Sequence, residues 1–240
     1  MIKKLFASAC VFGLASAAFA APVVYFGENQ APAGKVGGNP AAARASFLGG
    51  LSGVSSEGFE TFVFEDEAPV DLSFTGSGGA LSAQLTGDGQ IENRLATSRF
   101  NTTTGGSQWW DVSGDFTITF GTAVSAFGFY GTDIGEFGGR VTVALTDIAN
   151  KVTNFTVDST EPSADGALLF WGFIDGANSY KKIVFGNTNA GTDFFGFDDM
   201  VIGDLGQVDP GPGPIPEPAS LALAGLALAG LGLSRRKTRA

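Results

Sequence analysis

The 240-residue chain contains no histidine, and its single cysteine, Cys10, falls within the first twenty residues. Without histidine there is no side chain whose ordinary pKa suits general-base work near neutrality, and Cys/His zinc sites are excluded. One cysteine cannot close an intramolecular disulfide. Basic residues are scarce too: 14 Lys and Arg stand against 24 Asp and Glu. Six of the 14, Lys3, Lys4, Arg235, Arg236, Lys237 and Arg239, sit at the two ends. Residues 21–215 therefore hold 8 basic and 23 acidic side chains, a net charge of −15. Such a body repels phosphate backbones, which excludes nucleic acid as a partner. Trp and Tyr number three each, whereas Phe numbers 22. Phe has no polar handle, so most of the aromatic content belongs to a core and not to sugar-stacking platforms.

The ends carry the clearest signals. Met1-Ile2-Lys3-Lys4 is a positive n-region, Leu5 to Leu14 is an apolar stretch of the right length, and Ala18-Phe19-Ala20 follows the small-x-small cleavage rule. Residues 1–20 are expected to be a secretory leader, with Ala18 and Ala20 in the −3 and −1 positions and Ala21 as the new N-terminus. At the other end, residues 207–215 form a Pro/Gly segment that behaves as an extended linker. Pro216-Glu217-Pro218 comes next, then the apolar run 219–233 and the basic cluster Arg235, Arg236, Lys237 and Arg239. As a helix the 15-residue run spans ~22 Å. That is short of the ~30 Å hydrocarbon core, so the run is a marginal anchor by itself. The basic cluster is expected to stay cytoplasmic and to hold the body on the far side of the membrane.

This tail, 216–240, resembles the PEP-CTERM sorting region, in which a Pro-Glu-Pro triplet, a short transmembrane helix and an Arg-rich end occur in this order. The resemblance implies a Gram-negative bacterium that makes exopolysaccharide. It also implies an inner-membrane exosortase as partner, which recognises Pro216-Glu217-Pro218 and processes the tail. The membrane then holds the protein only until processing, and its destination is the cell surface or extracellular matrix.

Between the ends, residues 21–206 read as one antiparallel β-sandwich of jelly-roll type with one short early helix. Asn39-Pro40 is a helix start, and Ala41 to Leu51 places Phe47, Leu48 and Leu51 on one face before Gly53 ends the turn. Ten β-type runs follow between Gly, Asp, Asn and Ser turns: 59–64, 70–74, 80–85, 116–120, 124–129, 141–145, 152–157, 168–173, 180–185 and 194–202. Alternating βαβ units are lacking, which argues against a parallel nucleotide-binding sheet. The stretch from Phe116 to Gly203 resembles a recurrent extracellular domain of PEP-CTERM proteins. Carbohydrate-binding jelly rolls also end in an apolar residue, an Asp and an apolar strand, as Phe197-Asp198-Asp199-Met200-Val201 does here.

Carboxylates are the remaining candidates for chemistry. Glu60 on the first β-run and Asp198 and Asp199 on the last suit a structural Ca²⁺, because first and last strands of such sandwiches are usually neighbours and Ca²⁺ takes 6–8 oxygen ligands. The same aspartates also suit turn positions that bond backbone N–H groups. Asp133-Ile134-Gly135-Glu136 is a second acidic group in a Gly-rich loop, without the spacing of a Ca²⁺ loop. Nothing pairs two carboxylates across a cleft as a glycosidase needs. Trp109-Trp110, flanked by Gln108 and Asp111, is the one exposed-looking aromatic pair, readable as a ligand platform or as core, with at most one ring facing solvent on a strand. The expectation is a secreted, non-enzymatic surface or matrix protein. The alternative is a carbohydrate-binding module acting within the exopolysaccharide.

Overall fold

The computed structural model describes residues 21–29, 36–94, 98–135, 137–157 and 166–209. The expected leader with Ala18 and Ala20, the triplet Pro216-Glu217-Pro218, the apolar run 219–233 and the basic cluster from Arg235 to Arg239 lie outside the described residues. Among the described residues no helix is long and apolar enough to cross a membrane.

In chain order the elements are β1 (Val23–Asn29), α1 (Gly38–Leu48), β2 (Ser56–Glu57), β3 (Val70–Gly76), β4 (Gly79–Gly87), β5 (Gln90–Glu92) and β6 (Trp109–Val112). They continue with β7 (Phe116–Val124), β8 (Ala126–Thr132), β9 (Val141–Asp147), β10 (Val152–Thr156), β11 (Leu168–Ile174), β12 (Tyr180–Asn187) and β13 (Phe195–Gly203). Two sheets result, ordered β10-β9-β12-β7-β4-β3 and β1-β11-β8-β13-β6-β5, with β2 attached to β13. All pairings are antiparallel. The mainly β, two-sheet class expected from the turn spacing is therefore observed.

The two sheets differ in how they are covered. In β3, buried Val70, Leu72 and Phe74 alternate with exposed Asp71, Ser73 and Thr75, and β4 and β9 bury alternate positions in the same way. That is the pattern of a sheet with one wet face. In contrast, β8 and β11 are buried at every position, and β13 at all but one. Their inward set, including Phe127, Phe129, Trp171, Phe173 and Phe197, joins the main core. Their outward set, Ala126, Tyr130, Leu168, Phe170 and Val201, forms a second cluster under Phe47 of α1. Phe47 fits because Gly128 and Gly172 face each other across the β8–β11 pair. A Cβ on either would stand 3.2 Å from its ring.

Several expectations need correction. Residues 59–64 are a turn and no strand: Phe59 has φ 61° and its carbonyl accepts Phe62 N–H at 3.2 Å. The apolar residues that suggested a strand enter the core from that turn, where Phe59 stacks on Trp110 at 6.2 Å. Strands β1, β2, β5 and β6 lie outside the ten expected β-type runs. First and last strands are not neighbours, since β11 and β8 lie between β1 and β13. Helix α1 begins after Gly37 and stops at Gly49, so neither Asn39 nor Gly53 delimits it. The Asn39 amide instead donates to Glu28 O at 3.2 Å. The packed body reaches Asp209, beyond the expected boundary at 206. Gln207 is buried with its amide donating to Gly53 O and Thr75 O, and Val208 bridges Leu51.

Candidate functional site

Residues 98–108 run as a loop over the outer face of the seven-stranded sheet, and buried carboxylates hold them there. Asp198 is 1 % exposed. Its Oδ2 accepts Thr102 N–H at 2.5 Å, the Thr102 hydroxyl at 2.9 Å and Thr103 N–H at 3.1 Å. Its Oδ1 accepts Asp199 N–H at 2.7 Å. Asp199 accepts the Thr103 hydroxyl at 3.0 Å and stands 4.0 Å from the Arg44 guanidinium, which lies over the Tyr130 ring. The aspartate pair sits on a β-bulge, where the β13–β8 register shifts between Asp198 and Val201 and Asp199 adopts φ 47°. The bulge turns two consecutive carboxylates toward one loop, which regular pleating cannot do. Burial pushes the Asp198 carboxyl up to about 7, against the N–H groups that favour its charged form and with the Asp199 charge adding to the rise.

Glu60 holds the far end of the same loop: Ser107 N–H reaches its Oε1 at 2.9 Å and Oε2 at 3.0 Å, and Gln108 N–H reaches Oε1 at 2.9 Å. Glu60, Asp198 and Asp199 thus bond the same loop at different points, Asp198 and Asp199 at Thr102 and Thr103 and Glu60 at Ser107 and Gln108. Their oxygens bond N–H and O–H donors. Among the described residues no three or more Asp, Glu, His or Cys side chains group as metal ligands. Position 136 of the second acidic group lies outside the described residues, while Asp133 is buried with φ 62°.

Trp109 and Trp110 are both fully buried. Neither forms a ligand platform, because both faces of this sheet are covered: Trp110 belongs to the main core, and Trp109 donates its Nε1–H to Asp111 at 3.2 Å. The same Asp111 oxygen accepts Arg99 Nε–H, and Arg99 Nη1 stands 3.6 Å from Asp133. Burial raises the Asp111 carboxyl above its usual range, although the Arg99 charge opposes it.

Sequence reasoning also missed a cleft of about 310 Å³ at the end of the sandwich. The β4–β5 turn, Asp111 to Ser113 and Phe194 surround it. The turn is narrow by necessity, since a Cβ on Gly89 would stand 2.4 Å from the Trp110 indole and Gly89 has φ +122°. The signal available beforehand was Gly87-Asp88-Gly89, two glycines flanking an aspartate, which reads equally well as an ordinary hairpin turn.

Residues 214–237 match the PEP-CTERM protein-sorting motif. The motif indicates export and sorting to the cell envelope or surface. No curated protein matches the chain. Among solved structures, the K2 cleaved adhesin domain of Lys-gingipain is similar at 15 % identity and TM-score 0.40, over 63 % of this chain and 98 % of that one. The K1 cleaved adhesin domain of Lys-gingipain from Porphyromonas gingivalis W83 gives 10 % and 0.37, over 63 % and 98 %. TmCBM61 in complex with β-1,4-galactotriose gives 14 % and 0.31, over 60 % and 92 %.

Proposed function

We propose that this chain is an exported, non-enzymatic protein of a Gram-negative bacterium. An inner-membrane exosortase recognises Pro216-Glu217-Pro218, processes the tail and releases the body to the cell surface or extracellular matrix. The carrying observation is the match of residues 214–237 to the sorting motif, placed directly after a body that packs as far as Asp209. The segment 210–213 is Pro-Gly-Pro-Gly, a spacer that lets an enzyme reach the triplet without disturbing the sandwich. A non-enzymatic role is supported by the absence of histidine and by the engagement of Glu60, Asp198 and Asp199 with loop donors.

The test is replacement of Pro216, Glu217 and Pro218 by alanine, followed by mass measurement and membrane/soluble partition beside wild type. The variant stays unprocessed in the membrane with a normally folded body. Removing Arg235, Arg236, Lys237 and Arg239 has a different result, because it deletes the orienting charges and lets unprocessed protein slip through. Normal processing and release of the triplet variant would overturn the proposal.

A second reading, a carbohydrate-binding module within the exopolysaccharide, is favoured by the polar cleft and by the partly exposed ring of Phe194 on its rim.

A further inference from the structure

The cleft has a definite chemistry. Glu67, Asp88 and Asp111 bring three carboxylates to it, and Gln90, Ser113 and Phe194 contribute an amide, a hydroxyl and a ring that is 39 % exposed. Two of the carboxylates are fixed by protein donors, Asp111 by groups outside the lining and Asp88 by Gly114 and by Ser113, itself a lining residue. Asp111 Oδ1 accepts Trp109 Nε1–H and Arg99 Nε–H. Asp88 Oδ2 accepts Ser113 N–H at 2.8 Å and Gly114 N–H at 2.5 Å. Among the described residues no hydrogen bond reaches Asp88 Oδ1 or Asp111 Oδ2. The cleft therefore holds pre-oriented acceptors, and its about 310 Å³ falls at the small end of ligand sites, roughly 300–1,000 Å³.

Charge narrows the ligand. No Lys or Arg lines the cleft among the described residues, and Arg99 is engaged with Asp111, Asp133 and the face of Phe194. Three carboxylates with no lining cation repel a uronate, sulfate or phosphate. A bare metal ion has no use for the apolar ring at the rim. A ligand with many hydroxyl donors and one apolar C–H face satisfies both features, because hydroxyls bond the carboxylates while the ring packs against the C–H face.

We propose that the cleft formed by the β4–β5 turn, Asp111 to Ser113 and Phe194 binds an uncharged saccharide. Glu67, Asp88 and Asp111 accept its hydroxyls and Phe194 stacks on a sugar face. This rests on the reading of the chain as a carbohydrate-binding module and names the glycan class, neutral as opposed to anionic.

The test is affinity gel electrophoresis of the mature secreted protein through gels containing an uncharged β-glucan, an uncharged galactomannan or polygalacturonate, with oligolysine binding measured in parallel. At least one uncharged polysaccharide retards wild type, and polygalacturonate does not. Phe194→Ala and Gln90→Ala each weaken that retardation about tenfold, while circular dichroism and melting temperature stay close to wild type, since Phe194 is exposed and Gln90 only half-buried. Equal retardation of Phe194→Ala and wild type would place binding elsewhere and overturn the assignment. Retardation by polygalacturonate alone would keep the carbohydrate-binding reading and overturn the neutral cleft. Binding of oligolysine without retardation by any polysaccharide, or no binding at all, would overturn both.

Discussion

Asp198 and Thr102 are 96 positions apart in the chain, yet the Thr102 N–H lies 2.5 Å from Asp198 Oδ2. Through this contact the last strand holds down a loop that carries no regular structure of its own.

Replacing Asp198 with alanine leaves the N–H of buried Thr102 without its acceptor, while Thr103 N–H keeps Asn101 Oδ1 at 2.9 Å. Urea unfolding should show a stability loss of about 3 kcal/mol with an unchanged m-value. A loss below about 0.5 kcal/mol would mean that the loop is held by its apolar contacts, chiefly Phe100, and not by the carboxylate.

The same residue sets a pH dependence. Its folded-state carboxyl titrates at about 7, whereas the unfolded one titrates near ~3.9. Between those values the folded state binds the extra proton, so stability from this group falls as pH rises. The penalty is complete above about pH 7 and relieved below about pH 4. Wild type minus Asp198→Asn, followed by urea midpoints from pH 4.5 to 8, should therefore decline with pH. A flat difference would show that the loop donors cancel the effect of burial.

Gly89 tests the shape of the cleft. An alanine there meets the Trp110 indole at 2.4 Å and must also hold φ near +122°. The expected destabilisation is about 2–4 kcal/mol, with a changed tryptophan near-ultraviolet signal. Gly78→Ala in the β3–β4 turn is the control, because its Cβ meets nothing within 4 Å. Equal melting temperatures for the two variants would show that the turn can move away from Trp110.

The chain by itself determined the sorting motif, the acidic surface and the two-sheet β class. Each of these is written in neighbouring residues: a contiguous tail, a composition, and a period of two in β3, β4 and β9 whose apolar side must find cover. Only the tertiary structure decided the rest. Whether Trp109 faces solvent depends on what covers the outer side of the sheet, and at β6 that cover comes from the 98–108 loop, whereas Trp110 is buried by the opposite sheet. The alternation in β8, β11 and β13 is invisible for the same reason, since a strand buried on both faces reads as one apolar run. Glu60 looks like a strand residue in the sequence because a turn that places Phe59 in the core and Phe62 against it has the same apolar spacing as a short strand. Its pairing with Ser107 and Gln108, and that of Asp198 with Thr102, spans 47 to 96 residues. Hydrogen bonds over such separations follow from how two sheets and a loop pack together, and no local pattern in the sequence encodes them.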